Sequence, residues 1–481
     1  MVFQIEEPTH GFSHSWYVLF VVGIGVFLCT LNTSITNTVL PTIERSLEIT
    51  MVQSEWVVLI YLLVLTLFLI PIGRLADLWG HRLVFLFGFL LFTSAAVLCG
   101  VSENYFSLLL GRALIALGGA MIMAVGPALL TTTFPPEQRG KVLGIQALMT
   151  YIGLSMGPVL GGWFTQAWGW QATFLVTVPF GISGLLLGIW VVPKVVVGHR
   201  KALDLKGIFA FIIGMAAVTL LLNSNAITKY RTFILPLLVI VFVGAIWAFI
   251  HIEREQVEPM IHLELFRINN FGFGALGATL NYLCFFLPLF LLPFYLDQIL
   301  HFSVLMVGMF MAITPLVMTV CAPIAGALSD RFGPRVFTTL GMLFSTVSLA
   351  LFGTMVQLGV LVDWTLIAGL IFAGLGTGTF AAPNNSAIMG AAPRSQQGVA
   401  SGVLATFRYI GMMSGITIGG SLFYLLVGYF THQGADVISA FLHAFSIVMW
   451  VGATFGTLGI VCTFSMSNEV HVGMGHTNEV L

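Results

Sequence analysis

Two arginines stand inside otherwise apolar stretches, Arg112 in "LLLGRALIALGGAM" and Arg408 in "ATFRYIGMMSG". A guanidinium in a bilayer core costs at least ~2.5–3.5 kcal/mol, so each must face protein or water and find a polar partner. Polar residues gather most densely in "LCTLNTSITNTVLPTI" (residues 29–44), where Asn32, Thr33, Ser34, Thr36, Asn37 and Thr38 supply hydrogen-bonding groups and no charge. Asn32, Thr36 and Tyr61, with Asn281, Tyr282, Phe285, Phe286, Asn384 and Asn385, fall at mid-depth of such stretches and are candidates to line a cavity. Met121 and Met123 add the soft, adaptable surface that permissive sites use.

The acids are placed differently. Of 19 Asp and Glu, none falls in the middle third of an apolar stretch. Glu55 opens one stretch beside Trp56, Asp297 closes another ahead of Gln298 and His301, and Glu103, Asp363 and Asp436 lie at or between stretch ends. A group that titrates inside a membrane is ordinarily a buried carboxylate. Glu55 and Asp297 are the nearest candidates, although their depth also suits plain interfacial residues. Asp77 and Asp330 are expected just beyond helix ends beside Arg82 and Arg335. There a carboxylate can accept charge-assisted hydrogen bonds from a helix N-terminus or an adjacent Arg and act as a latch. His443 lies within a stretch, where a lone His is more often structural than a proton carrier. Cys29, Cys99, Cys284, Cys321 and Cys462 sit at unrelated spacings, so neither a disulfide, a metal nor a cofactor is expected.

The elements that position these groups follow from composition. The 481 residues are 58% hydrophobic and 8% charged, against roughly 25% charged in a soluble domain. Apolar runs long enough for the ~20 helical residues that cross a bilayer recur throughout. They are expected at 15–38, 51–72, 82–101, 105–133, 139–164, 169–192, 205–223, 232–252, 271–298, 303–327, 335–357, 363–390, 394–428 and 438–466. No signal peptide is evident, so the first helix is expected to direct its own insertion. With the N-terminus cytoplasmic, thirteen Lys and Arg fall on that side and three on the other, while Arg112 and Arg408 complete the 18. That bias puts both termini in the cytoplasm of a plasma or inner membrane. A net charge of −1 suggests no nucleic-acid partner.

Internal repeats organise the chain. "GRLADLWGHR" (73–82) recurs as "GALSDRFGPR" (326–335), and "GKVLGIQALMTYIGLSMGPVLGG" (140–162) as "GVASGVLATFRYIGMMSGITIGG" (398–420), pairing Tyr151 with Tyr409 among its identities. The expected plan is a cytoplasmic N-terminus (1–14), a six-helix half (15–192), a linker with two inserted helices (193–270), a second six-helix half in the same orientation (271–466) and a cytoplasmic tail (467–481). Parallel halves imply a site near the midplane between them and rocking between two access states.

At these residues the chain resembles the major facilitator superfamily, in its fourteen-helix drug:proton antiporter branch. "GRLADLWGHR" is similar to that superfamily's loop signature after its second helix. "GLSMGPVLGG" (153–162), with Gly153, Gly157, Pro158, Gly161 and Gly162, is similar to its antiporter signature, and "LNTSITNTVLP" and "SEWVVLIYLL" to the branch's first and second helices. The resemblance implies that the glycine helix seals the inter-half cavity and favours exchange over leak. It implies that Arg112 touches the first helix and takes part in proton coupling, though Ile115 and Ala116 stand where the family usually has Gln and Gly. For Arg408, where the branch typically has an arginine, a structural role bonding backbone carbonyls weighs as much as a functional one. It also implies an Asp where Asn32 stands. Asn matches a protonated Asp in shape and cannot titrate. Either coupling runs through another group or is absent, or Asn32 mimics the protonated acid.

Three function classes follow. Proton-coupled efflux of amphipathic compounds rests on the glycine helix and Arg112; with no acid in the cavity, neutral or anionic substrates fit better than cations. Transport of a lipid or lipid precursor, or uncoupled facilitation, suits the Phe-rich, acid-poor interior, since the chain carries 41 Phe. An enzyme or receptor is disfavoured, because no paired carboxylates or nucleophile–base constellation stand within spans and the longest loops are short.

Overall fold

The computed structural model describes residues 12–135, 138–193, 205–222, 231–255, 263–355, 364–393 and 397–467. Most of the two expected tails, the loop residues Lys194, Arg200, Lys201, Lys229 and Arg394, and Asp363 lie outside the described residues. The described chain is helical: α1 (Phe12–Ser46), α2 (Met51–Trp79), α3 (His81–Gly100), α4 (Tyr105–Thr133), α5 (Arg139–Trp168), α6 (Ala172–Leu175), α7 (Thr177–Val191), α8 (Leu205–Leu222), α9 (Arg231–Glu255), α10 (Asn269–Phe294), α11 (Val304–Phe332), α12 (Pro334–Met355), α13 (Trp364–Ala391), α14 (Gln397–His432) and α15 (Val437–Phe464). Among the described residues thirteen spans are long and apolar enough to cross a membrane, and α8 adds a shorter apolar run, Lys206–Leu221. The expected sixth span is divided into α6 and α7, and a π turn, Tyr295–Ile299, follows α10.

Side-chain caps start the helices at one end of the bundle. Thr50 forms a capping box with Gln53 before α2, and Asn104, Ser303 and Asp436 cap α4, α11 and α15. Each satisfies backbone N–H groups that the first turn leaves unpaired. At Asp436 the Ser439 hydroxyl and N–H hold the carboxyl below its ordinary range. The opposite end uses glycine. In the repeated decapeptide, Gly80 and Gly333 close α2 and α11 at φ 95° and 85°, a left-handed conformation that costs other residues a steric clash. Asp77 and Asp330, expected just beyond the helix ends, are instead inside the last turns, because each helix runs on to the residue before its glycine.

Each half contains a backbone-close crossing built on its repeated glycines. A Cβ at Gly153 would lie 2.2 Å from Thr30 Oγ1 and 2.8 Å from Phe27 O, and one at Gly157 would lie 1.9 Å from Ser34 Oγ. The second half repeats this: Cβ atoms at Gly411 and Gly415 would lie 2.3 Å from Thr279 O and 2.5 Å from Leu283 O. So α1 packs backbone-close on α5, and α10 on α14, as small residues permit in lipid. The glycine stripe thus mostly packs each half internally; Pro158 and Gly162 reach the other half. A Cβ at Gly162 would meet Val304 O at 2.6 Å, and one at Gly308 would meet Pro158 O at 2.2 Å, joining α5 to α11 at the end where α1 passes into α2. At the opposite end Gly402 makes only van der Waals contact with Ile70 across the seam, and Gly144 has open space. Helix α8 rests against both α2 and α14, while α9 packs on α8 and is otherwise largely exposed.

Gly157→Val forces α1 from α5. It is expected to destabilise the protein by about 1–3 kcal/mol, the cost of overpacking a filled contact, whereas Gly144→Ala leaves stability unchanged. Thermal unfolding of the two detergent-solubilised variants, followed by tryptophan fluorescence, checks this.

Candidate functional site

Arg112 and Asn32 are fully buried and bonded to one another. Arg112 Nε donates to Val57 O at 2.9 Å, and its guanidinium carbon lies 4.5 Å from the Tyr61 ring centroid. Tyr61 in turn donates its hydroxyl to Cys29 O at 3.0 Å. The cation thus spans α1, α2 and α4 and is held by an amide, a carbonyl and a ring face. An amide acceptor cannot exchange a proton, so this contact positions α1 against α4. Arg112 Nη2 and Asn32 Nδ2 are buried without a hydrogen-bond partner, the signature of a cluster whose bonds are incomplete in this arrangement of helices.

Most of the rest of the polar run on α1 is consumed locally, although Thr38 Oγ1 and Asn37 Oδ1 are buried without a partner. Thr30, Thr33 and Thr36 donate back to carbonyls four residues earlier, Val26 O, Cys29 O and Asn32 O, at 2.9 Å each. Ser34 bonds Thr30 O and reaches Gly153 O of α5 at 3.3 Å, and Asn37 donates to Thr33 O at 3.2 Å. Thr36, expected to line the cavity, is fully buried in helix packing.

A second cluster lies between the halves. Arg408 donates to Asn385 Oδ1, and its guanidinium carbon stands 5.7 Å from the Tyr282 ring centroid. Tyr151 and Tyr409, the paired tyrosines of the long repeat, are within electrostatic reach of Tyr282 and Arg408, and Tyr61 of Tyr409. Four of the ten tyrosines therefore converge from α2, α5, α10 and α14. Tyr151 and Tyr409 were legible only as repeat identities. Arg408 bonds a side chain rather than the backbone carbonyls expected of a purely structural role.

The other expected cavity residues point elsewhere. Asn281 is fully buried and donates to Ser345 Oγ at 3.3 Å, inside the second half. Asn384 is buried against α10 near Gly274. Phe285 and Phe286 pack edge to face in the core, Met121 sits against Gly88 of α3, and Met123 is half-buried against the core of its own half. These residues cannot share one cavity, because depth along a helix does not reveal which face it turns to its neighbours.

Of the carboxylates, Glu55 is buried, and a Cβ at Gly420 of α14 would lie 2.4 Å from its Oε2; it is an inter-half contact at the α1–α2 end. Asp297 bonds Arg45 across the halves at 2.9 Å. Asp77 lies 3.4 Å from His81 Nε2. Arg82 instead donates to Ile189 O of α7 at 2.6 Å, and Arg335 covers the Phe464 ring of α15 at 3.9 Å. The repeated arginines thus pin α3 and α12 to the last helix of their own halves rather than holding a latch with the aspartates. His443 lies 5.5 Å from the Phe430 ring. A cavity of about 740 Å³ opens at the far end of the second half, beside Arg267, Asn270, Asp330 and Ser467. Among the described residues it is walled by the segment just before α10, by α10 to α13 and by Ser467, and by none of the tyrosines or Arg408, so it is distinct from the inter-half cluster. Among the described residues no group of His, Cys, Asp and Glu is placed to hold a metal.

A sequence profile described as Major Facilitator Superfamily matches residues 22–280 and 274–467. The riboflavin transporter RibZ of Clostridioides difficile (strain 630) is 33% identical over 452 residues, 93% of this chain and 96% of that one. The putative multidrug resistance protein MdtD of Escherichia coli O1:K1 / APEC is 29% identical over 442 residues, 91% of each chain. Among solved structures, a bacterial homolog to the human lysosomal transporter Spinster, in an inward-facing and occupied conformation, superposes with a TM-score of 0.69 at 16% identity, covering 95% of this chain and 97% of that one. A mutant of the peptide transporter POT in complex with alafosfalin gives 0.69 at 15%, covering 96% and 98%. At that identity they share the fold alone.

Asn32→Asp places an ionisable group against Arg112. The pair should hold α1 to α4 at neutral pH and release as pH falls through the new carboxyl's titration, so flux of a fluorescent dye in proteoliposomes becomes pH-dependent by severalfold. A pH profile identical to that of the parent protein refutes a role for position 32 in transport.

Proposed function

The chain belongs to the Major Facilitator Superfamily and is a membrane transporter, not an enzyme; on that premise we propose that it exports amphipathic small molecules by alternating access. Both termini are read as cytoplasmic from the Lys and Arg bias, which makes the α1–α2 end the outer one. The observation that carries the reading is the inter-half cluster of Tyr61, Tyr151, Tyr282, Tyr409 and Arg408. Its members come from both halves, so any motion of one half against the other rearranges it, which is what an alternating-access site requires.

The chemistry of that cluster selects among substrates. Tyrosine faces accept planar apolar bodies and tyrosine hydroxyls satisfy polar edges. Arg408 adds one cation and no carboxylate joins it, so neutral or anionic planar compounds fit and lipophilic cations are repelled. The name of the relative RibZ agrees with a planar heteroaromatic cargo, and that of MdtD with a broader range. Coupling to protons is the family expectation. Its absence, leaving a facilitator, is the second reading, favoured by the hydrogen bond that Arg112 donates to the non-titrating side-chain amide of Asn32. Lateral passage of a membrane lipid or lipid precursor is supported by α8, which lies along the seam between α2 and α14.

Riboflavin and ethidium, both fluorescent, test this in proteoliposomes with and without an imposed pH gradient. Riboflavin is expected to be carried faster than ethidium, and Arg408→Gln to reduce its apparent affinity about tenfold, the loss of one charge-assisted hydrogen bond. Preference for ethidium overturns the substrate reading. A rate indifferent to the gradient selects the facilitator.

A further inference from the structure

The outer end carries an unusual charge arrangement. Arg45, at the end of α1, bonds Asp297 Oδ1 in the π turn after α10, and the Asp297 side chain is only 8% exposed. Glu44, the preceding residue, lies within electrostatic reach of both Arg45 and Asp297. Two carboxylates therefore share one guanidinium across the seam between the halves. One oxygen of each, Glu44 Oε2 and Asp297 Oδ2, is buried and has no hydrogen-bond partner. An ionised carboxylate oxygen withdrawn from water without a donor is costly. Two like charges beside a single cation remove that cost when one of them takes a proton.

The packed elements carry few competing groups at this end. Glu48 follows α1, and Tyr105 opens α4 and donates to Gln53 O. The Glu55 carboxyl lies against Gly420, Tyr295 stacks on Phe445, and His301 follows the π turn. The outer parts of α5 and α11 and the whole of α6 bring none. Asp297 is already matched by Arg45, which leaves Glu44 as the group in excess.

We propose that Glu44, Arg45 and Asp297 form a one-proton site between the halves, the proton resting on Glu44 beside the Arg45–Asp297 bridge, and that binding it closes the outer end of the transporter. The proton arrives from water while the end is open, converts the Glu44 carboxylate to a carboxylic acid and returns to water on reopening; no other bond changes. The closed state holds one proton more than the open one, so closure strengthens as pH falls and weakens as pH rises. The site is a gate on the exporter proposed above and rests on that reading for its orientation.

The test uses the full chain in proteoliposomes, without substrate. Spin labels at Val101→Cys and Gln433→Cys, exposed at the outer end of the first and second halves, in a Cys321→Ser background, report the separation by pulsed electron resonance. The closed-to-open ratio is expected to rise, by up to about tenfold per pH unit, as pH falls from about neutral to about pH 5, toward the ordinary carboxyl range. Glu44→Gln should stay closed across that range. Asp297→Asn should lose the response with a more open distribution, and Asp297→Glu should restore it, which separates the site from a failure to fold. A Glu44→Gln protein that still responds like its parent overturns the proposal, as does a response that follows sodium concentration at constant pH. Because the labels read opening and not flux, a transporter that carries neither dye yet gates with pH defeats the export reading and leaves the proton site standing.

Discussion

The backbone-to-backbone approach of α1 with α5, and of α10 with α14, is the constraint on which the remaining structure depends. Lipid offers helices no hydrophobic reason to associate, so they must gain packing contacts that the acyl chains cannot match. Gly153, Gly157, Gly411 and Gly415 let carbonyls and side-chain oxygens of the partner helix sit where a Cβ would otherwise be. Each half becomes a tight unit built on that crossing. Arg82 and Arg335 then tie the third helix of each half to its last, one by a hydrogen bond to a carbonyl and the other by stacking on a ring.

With the halves formed in this way, the seam between them is where conformational freedom resides. The end where α1 passes into α2 is close-packed through Gly162, Gly308 and Gly420 and bridged by Arg45 and Asp297, whereas the opposite end makes looser contacts. The tyrosine cluster lies along that seam, so its members are separated or brought together by the same motion that opens either end.

The two halves share ancestry in sequence and differ in electrostatics. Only the first buries an arginine in its core, at position 112, and it does so with neutral partners. The corresponding polar interior of the second half is the uncharged Asn281–Ser345 pair. Charge that could respond to pH is found instead at the helix ends, where water can reach it in one state and be excluded in another. The site proposed above draws on this distribution, since the chain has no acid in the middle third of an apolar stretch.

Much of this was legible in the chain itself. Hydropathy sets the helices because a bilayer tolerates no unpaired backbone, the two repeats set parallel halves, and the glycine spacing set the close crossings. That Arg112 needs a polar partner was legible from the cost of a buried cation, and its contact with the first helix from the family resemblance; that the partner is Asn32 was not. What only tertiary structure decided was direction. The polar run of residues 29–38 looked like a cavity lining, yet most of its hydroxyls return to their own helix backbone and Asn32 alone reaches the buried arginine. Asn281 and Asn384 turned into their own half, while Tyr151 and Tyr409 turned to the seam. Glu44 and Asp297, 253 positions apart, acquire a shared guanidinium only when the halves close on each other. Periodicity measures depth along a helix, and which of its faces meets a neighbour is settled by helix rotation, which nothing in a single sequence records.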